Sequence, residues 1–143
     1  MSSQYSLHIS AELKNLETIR RFVIESATAL RVEPNIIPKL QLAVDEAATN
    51  IILHGYHNQG EGHLEIELEQ VEHDLIIRLR DEAAPFNPTI VPSPDINLPL
   101  SQRKPGGMGV YLIRRCMDEM THRLTTRGGN ELTLIKREVC GKS

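Results

Sequence analysis

Between residues 13 and 80 the apolar positions change period, and nothing else in the chain constrains its fold so strongly. Leu13, Leu16, Ile19, Val23, Ala27 and Leu30 recur at spacings of three and four, which predicts a helix with one buried face, and Ser10 stands where a cap would. After Pro34 a second stripe runs through Leu40, Val44, Ala47 and Ile51. Asn35 is placed to cap that helix, Pro38 fits its first turn, and Gly55 marks its end. From Leu64 the period is two: Leu64, Ile66 and Leu68 alternate with Glu65, Glu67 and Glu69, then Leu75, Ile77 and Leu79 alternate with Ile76, Arg78 and Arg80. Two helices followed by two paired strands exclude an all-helical bundle and an all-β sandwich, and the charged alternate positions predict a sheet with one solvated face.

The flanking segments complete the order. Residues 5–9 alternate like a short strand. Six of the eight prolines fall between Ala83 and Pro105, a stretch too long and too poor in backbone donors to be a packed element, and therefore a candidate lid or binding loop. Gly106, Gly107 and Gly109 then open a helical stretch over 110–117, and strand patterns follow over 122–126 and 131–137, with a turn at Gly128-Gly129-Asn130. The expected fold class is α+β: a two-layer sandwich of one mixed β-sheet covered by three helices, forming a single domain over 1–143 with a flexible loop at about 83–105.

Composition narrows the partners. The 16 Lys+Arg against 19 Asp+Glu leave a net charge of −3, so the chain lacks the basic field that drives binding to phosphate backbones, and nucleic acid is not an expected partner. No apolar run approaches the roughly 20 residues of a membrane helix, and MSSQYSLHIS lacks the layout of a secretory signal, so a cytoplasmic location without membrane partners is expected. Cys116 and Cys140 have neither metal-ligand nor disulfide-framework spacing.

Three sets of residues carry possible chemistry. Glu46, Asn50 and His54 are spaced four apart and predict one polar row beside the apolar stripe of the second helix, with Asp45 as its exposed neighbour. Such a row is either a solvated edge or a ligand set; Asn has no propensity reason to sit mid-helix, and its carboxamide oxygen is a hard donor suited to Mg²⁺. Gly106-Gly107-Met108-Gly109 at a helix start either relieves crowding or turns backbone N–H groups toward phosphate oxygens. Asp81, at a strand end, either caps a turn or accepts a hydrogen bond from a ligand amine.

Taken in order, E46-A-A-T-N50-I-I-L-H54-G-Y56, D81-E-A-A-P-F86-N-P88, G106-G-M-G109-V-Y-L-I and N130-E-L-T133-L resemble the GHKL ATP-binding superfamily, and more narrowly the anti-sigma-factor serine kinases of bacterial partner-switching systems. The resemblance runs from about residue 10 to 137. It implies a Bergerat-type ATP-binding fold and an ATP-dependent serine/threonine-protein kinase that binds a sigma factor and phosphorylates a small antagonist protein, working as a homodimer with ATP and Mg²⁺. In the matching positions Asn50 holds Mg²⁺ and Glu46 orients or deprotonates the attacking hydroxyl. Asp81 accepts from the adenine amino group with help from Thr133, Gly107 and Gly109 cradle phosphate, and Arg103 or Lys104 reaches the terminal phosphate. The chain departs from the family at Ala83, where glycine is common, and at Asn87, where aspartate is frequent. The first departure favours the alternative of a nucleotide-gated binding module with little or no phosphotransfer, or a scaffold that has lost the nucleotide.

Overall fold

The computed structural model describes residues 3–59, 62–90 and 108–141. Strand β1 (Ser3–Ser10) leads through a 3-10 turn (Leu13–Asn15) into α1 (Leu16–Ala29), and α2 (Ile37–Asn50) runs on into a π-helical turn (Ile51–Gly55). The hairpin β2 (His63–Val71) and β3 (Asp74–Asp81) follows, then a 3-10 turn (Pro88–Ile90), α3 (Met108–Cys116), β4 (Glu119–Leu124) and β5 (Asn130–Lys136). Pairing places the strands in the order β1-β2-β3-β5-β4.

The period-two pattern builds the core directly. Leu64, Ile66 and Leu68 of β2, Leu75, Ile77 and Leu79 of β3, and Leu132 and Leu134 of β5 point to one face and are buried there. Ile19, Val23 and Ala27 of α1, Leu40, Val44, Ala47 and Ala48 of α2, and Ile113 of α3 close over them. Each large aliphatic side chain taken from water in this way stabilises the fold by about 1.5–3 kcal/mol. None of the described helices is long and apolar enough to cross a membrane.

The α+β sandwich matches expectation, with one correction: all four strand pairings are antiparallel, where a mixed sheet was expected. The crossover from β3 through α3 to β4 delivers β5, not β4, to the edge of β3, and β5 returns by a hairpin, so no parallel neighbours form. Neither predicted cap operates. Asn15 folds back, its Nδ2 donating to the Ser10 carbonyl and hydroxyl at 2.9 and 2.8 Å, and Ile36 rather than Asn35 occupies the cap position of α2. Strand β4 begins at Glu119, three residues before the expected start, because its alternation is carried by Met120 and His122 rather than by strong β-formers. Of the expected loop, 83–90 is described and 91–105 lies outside the described residues. The described part is tied down: Asn87 Oδ1 accepts the Thr89 N–H at 2.9 Å, and Arg114 donates to the Thr89 carbonyl at 2.7 Å. The cap on this turn needs only an acceptor, which the Asn87 amide supplies as a carboxylate would.

Candidate functional site

Helix α2 presents Glu46 and Asn50 one turn apart, both half-buried, because they flank the stripe that packs on the sheet. The start of α3 lies against them. A Cβ at Gly109 would stand 3.0 Å from Glu46 Oε2 and 3.2 Å from Asn50 Nδ2, so a residue without a side chain is what lets the two helices approach here. His54 leaves the predicted row: the wider π turn rotates it out of line, and it is exposed. Asp45 is not a free surface neighbour either, since both its oxygens accept from Arg20, at 2.9 and 3.2 Å.

Asn50 also lines a cleft with about 480 Å³ of empty space, partly open to solvent, between α2, its π turn and the ends of β3, β4 and β5. Asp81 sits in its wall, 6% exposed. Asp81 Oδ1 accepts from the Ala83 N–H and from Asn130 Nδ2, each at 2.9 Å, while Oδ2 meets no donor among the described residues. Burial pushes the Asp81 carboxyl above the usual carboxylate range, and Asn130, the Ala83 N–H and His122 pull against that shift without cancelling it. Ile51, Ile113 and Leu132 give the cleft apolar walls.

Asn130 gathers the surrounding backbone. Its Nδ2 also reaches the Ala84 and Ala83 carbonyls at 3.1 and 3.3 Å, and its Oδ1 accepts from the Phe86 N–H at 3.0 Å. Gly129 makes this possible, since a Cβ there would overlap the Asp81 carbonyl. On the other side Tyr56 Oη accepts the Glu82 N–H at 2.6 Å and donates to the His63 carbonyl at 2.9 Å, tying the exit of the π turn to the residue after Asp81. Ala83 lines the cleft with its methyl directed at Gly55, where an added Cβ would lie 3.0 Å away.

The structure therefore brings Glu46, Asn50 and Gly109 together, and through Asn50 joins them to the cleft that holds Asp81. It does not bring Thr133. That residue pairs with Arg78 and lies between the buried Leu132 and Leu134, so its side chain is on the opposite face of the sheet from Asp81. Asn130, which pairs with Asp81, stands where Thr133 was expected. Gly107, Arg103 and Lys104 lie outside the described residues. Sequence reasoning missed Asn130 and His122 as cleft residues, although Asn130 was already placed at the turn before the last strand; only the pairing of β5 with β3 turns that position toward Asp81.

The donor set fits a magnesium nucleotide. Asp81 Oδ2 can accept from an exocyclic amine, Asn50 offers a hard oxygen to the same cleft, and Gly109 brings the start of α3 against Asn50 with no side chain between. Comparison with known proteins points the same way. Residues 9–136 match the family described as histidine kinase-like ATPase domain. An anti-sigma F factor of Bacillus licheniformis is 27% identical over 95% of this chain and 93% of its own length. The serine/threonine-protein kinase BtrW of Bordetella bronchiseptica is 30% identical over 66% of each chain. Among solved structures, the RsbU and RsbW domains of Rv1364c from Mycobacterium tuberculosis match 97% of this chain and 34% of theirs with a TM-score of 0.64 and 17% identity, a likeness of fold.

Proposed function

The chain belongs to the histidine kinase-like ATPase domain family, and from that premise we propose that it is a cytoplasmic anti-sigma serine/threonine-protein kinase that binds Mg-ATP, sequesters a sigma factor and phosphorylates a small antagonist protein. The observation that carries the reading is that Asn50 and Asp81 line one cleft, with Glu46 and Gly109 set against each other beside Asn50. The names of the anti-sigma F factor and BtrW relatives supply the biological class.

Each residue has a distinct task in this reading. Asp81 Oδ2 accepts from the adenine amino group while the apolar walls hold the ring. Asn50 would hold Mg²⁺, which supplies charge neutralisation at the phosphates. Gly109, with Gly107 and Arg103 as expected from the resemblance, leaves the phosphates close to backbone N–H groups. Glu46 accepts the proton of the attacking serine or threonine hydroxyl as its oxygen bonds to the terminal phosphorus; the bond to the bridging oxygen breaks, and the electron pair leaves with ADP. The Pro-rich segment 83–105 would close over bound nucleotide. Strand β1, an edge strand with Tyr5 exposed, is the surface on which a second copy would form the homodimer.

The test uses Glu46→Gln, which keeps shape and removes the charge. ATP and partner binding should persist while phosphotransfer to the antagonist, read by mass spectrometry, falls by roughly 10²–10⁴-fold. An unchanged rate makes Glu46 a structural carboxylate. Ala83 on the cleft wall favours the second reading, a nucleotide-gated binding module. A wild type that binds ATP and a confirmed partner yet transfers no phosphate would establish that module instead.

A further inference from the structure

His122 belongs to none of the roles above, yet it lines the same cleft as Asp81, and among the described residues these two are the only titratable ones that do so. Its Nε2 stands 2.8 Å from Asn130 Oδ1. The orientation of that carboxamide is settled by its other partners: one end faces Asp81 and two carbonyls, which only accept, and the other faces the Phe86 N–H, which only donates. His122 Nε2 must therefore carry a proton and donate it to Asn130, in the neutral ring as in the charged one.

We propose that His122 positions Asp81 for base recognition: its Nε2–H holds the Asn130 carboxamide, which holds Asp81 Oδ1 and leaves Oδ2 presented to the cleft. The proposal rests on the nucleotide reading for its ligand. A charged His122 favours the Asp81 carboxylate over its acid form, and the carboxylate is the form that accepts a hydrogen bond with both oxygens.

Other charges do not complicate the relay. From β5 the ring meets Asn130 and Leu132, and the adjoining 3-10 turn Pro88–Ile90 has no ionisable group. On β4 itself Met120 and Leu124 share its face, while Arg123 points to the other face and pairs with Glu131. Among the described groups, Asp81 is thus the one charge that faces it across the cleft.

Two measurements on the full chain test this. In the ligand-free protein, the Asn130 side-chain amide signals should titrate with the midpoint of the His122 ring, and His122→Gln, which keeps a donor but no titrating group, should abolish that titration. Adenosine, which makes no phosphate contacts, should bind about three- to tenfold more weakly to His122→Leu than to the wild type, and His122→Gln, which keeps a donor, should recover most of that affinity. Asn130 signals that stay flat through the His122 titration, or an adenosine affinity unchanged in His122→Leu, would overturn the proposal. If adenosine does not bind the wild type while Asn130 still follows His122, the relay stands and the nucleotide reading falls.

Discussion

Asp81 and Glu131 are nearly equally buried, at 6% and 5% exposure, and they stand on neighbouring strands one pairing position apart, yet their acidities move in opposite directions. Glu131 lies on the outer face of the sheet, where hydrogen bonds from Arg123 and then Arg80, both at 2.6 Å, outweigh its burial and hold it at about 2. Asp81 lies on the inner face, where burial dominates and its hydrogen-bond donors are an amide side chain and a backbone N–H, so its carboxyl is pushed up. The difference separates scaffold from site. On the outer face each carboxylate is saturated by cations: Glu65, Arg80, Glu131 and Arg123 form one row across four strands, and Arg78 joins Glu67 and Glu69 in the next. On the inner face the Asp81 carboxylate has no cation beside it, and one oxygen meets no donor among the described residues, the arrangement that the proposed reading assigns to a ligand.

The two faces can be broken separately. The largest loss should come from the inner core: Ile77→Ala, at a fully buried position, should lower unfolding free energy by about 2–5 kcal/mol in urea titration. Asp81→Asn should do the opposite to stability, leaving the melting temperature at neutral pH unchanged or raised, while calorimetry shows adenine nucleotides weakened more than inorganic triphosphate by about 1.5–3 kcal/mol, the value of a hydrogen bond to a charged group. Equal losses for both ligands would remove Asp81 from base reading. Arg80→Met on the outer face should cost about 1–3 kcal/mol of stability, since it strips a partner from Glu65, Glu67 and Glu131 together, and should leave the Asp81 hydrogen bonds intact.

The smallest and broadest effect is in acid. The carboxyl of Glu131 falls from an ordinary 4.5 to about 2 on folding, so its contribution is present above pH 4.5 and is lost as pH falls toward 2. Glu67 moves in the same direction: burial pushes it up, but Arg80 and Arg78 prevail. Asp81 has the reverse sign, because a raised carboxyl pKa favours the folded state as the group protonates. Acid unfolding should therefore start at a higher pH in Arg80→Met than in wild type, and any stability advantage of Asp81→Asn over wild type should shrink as pH falls and Asp81 protonates.

The order of elements, the buried faces of α1, α2, β2 and β3, and the shared helical face of Glu46 and Asn50 were all legible in the chain alone. Period and capping chemistry act within a few residues, and so does the rule that a strand's neighbours alternate between faces. What tertiary structure decided is which distant residues share a face. Thr133 and Asn130 are three apart on one strand, an odd number, so pairing β5 with β3 places one toward Arg78 and the other toward Asp81; a slip of one residue would exchange them. The π turn that removes His54 from its row, the antiparallel sheet and the approach of His122 to Asn130 have the same origin. Each depends on contacts between segments far apart in sequence, which only the closed core of the folded chain selects.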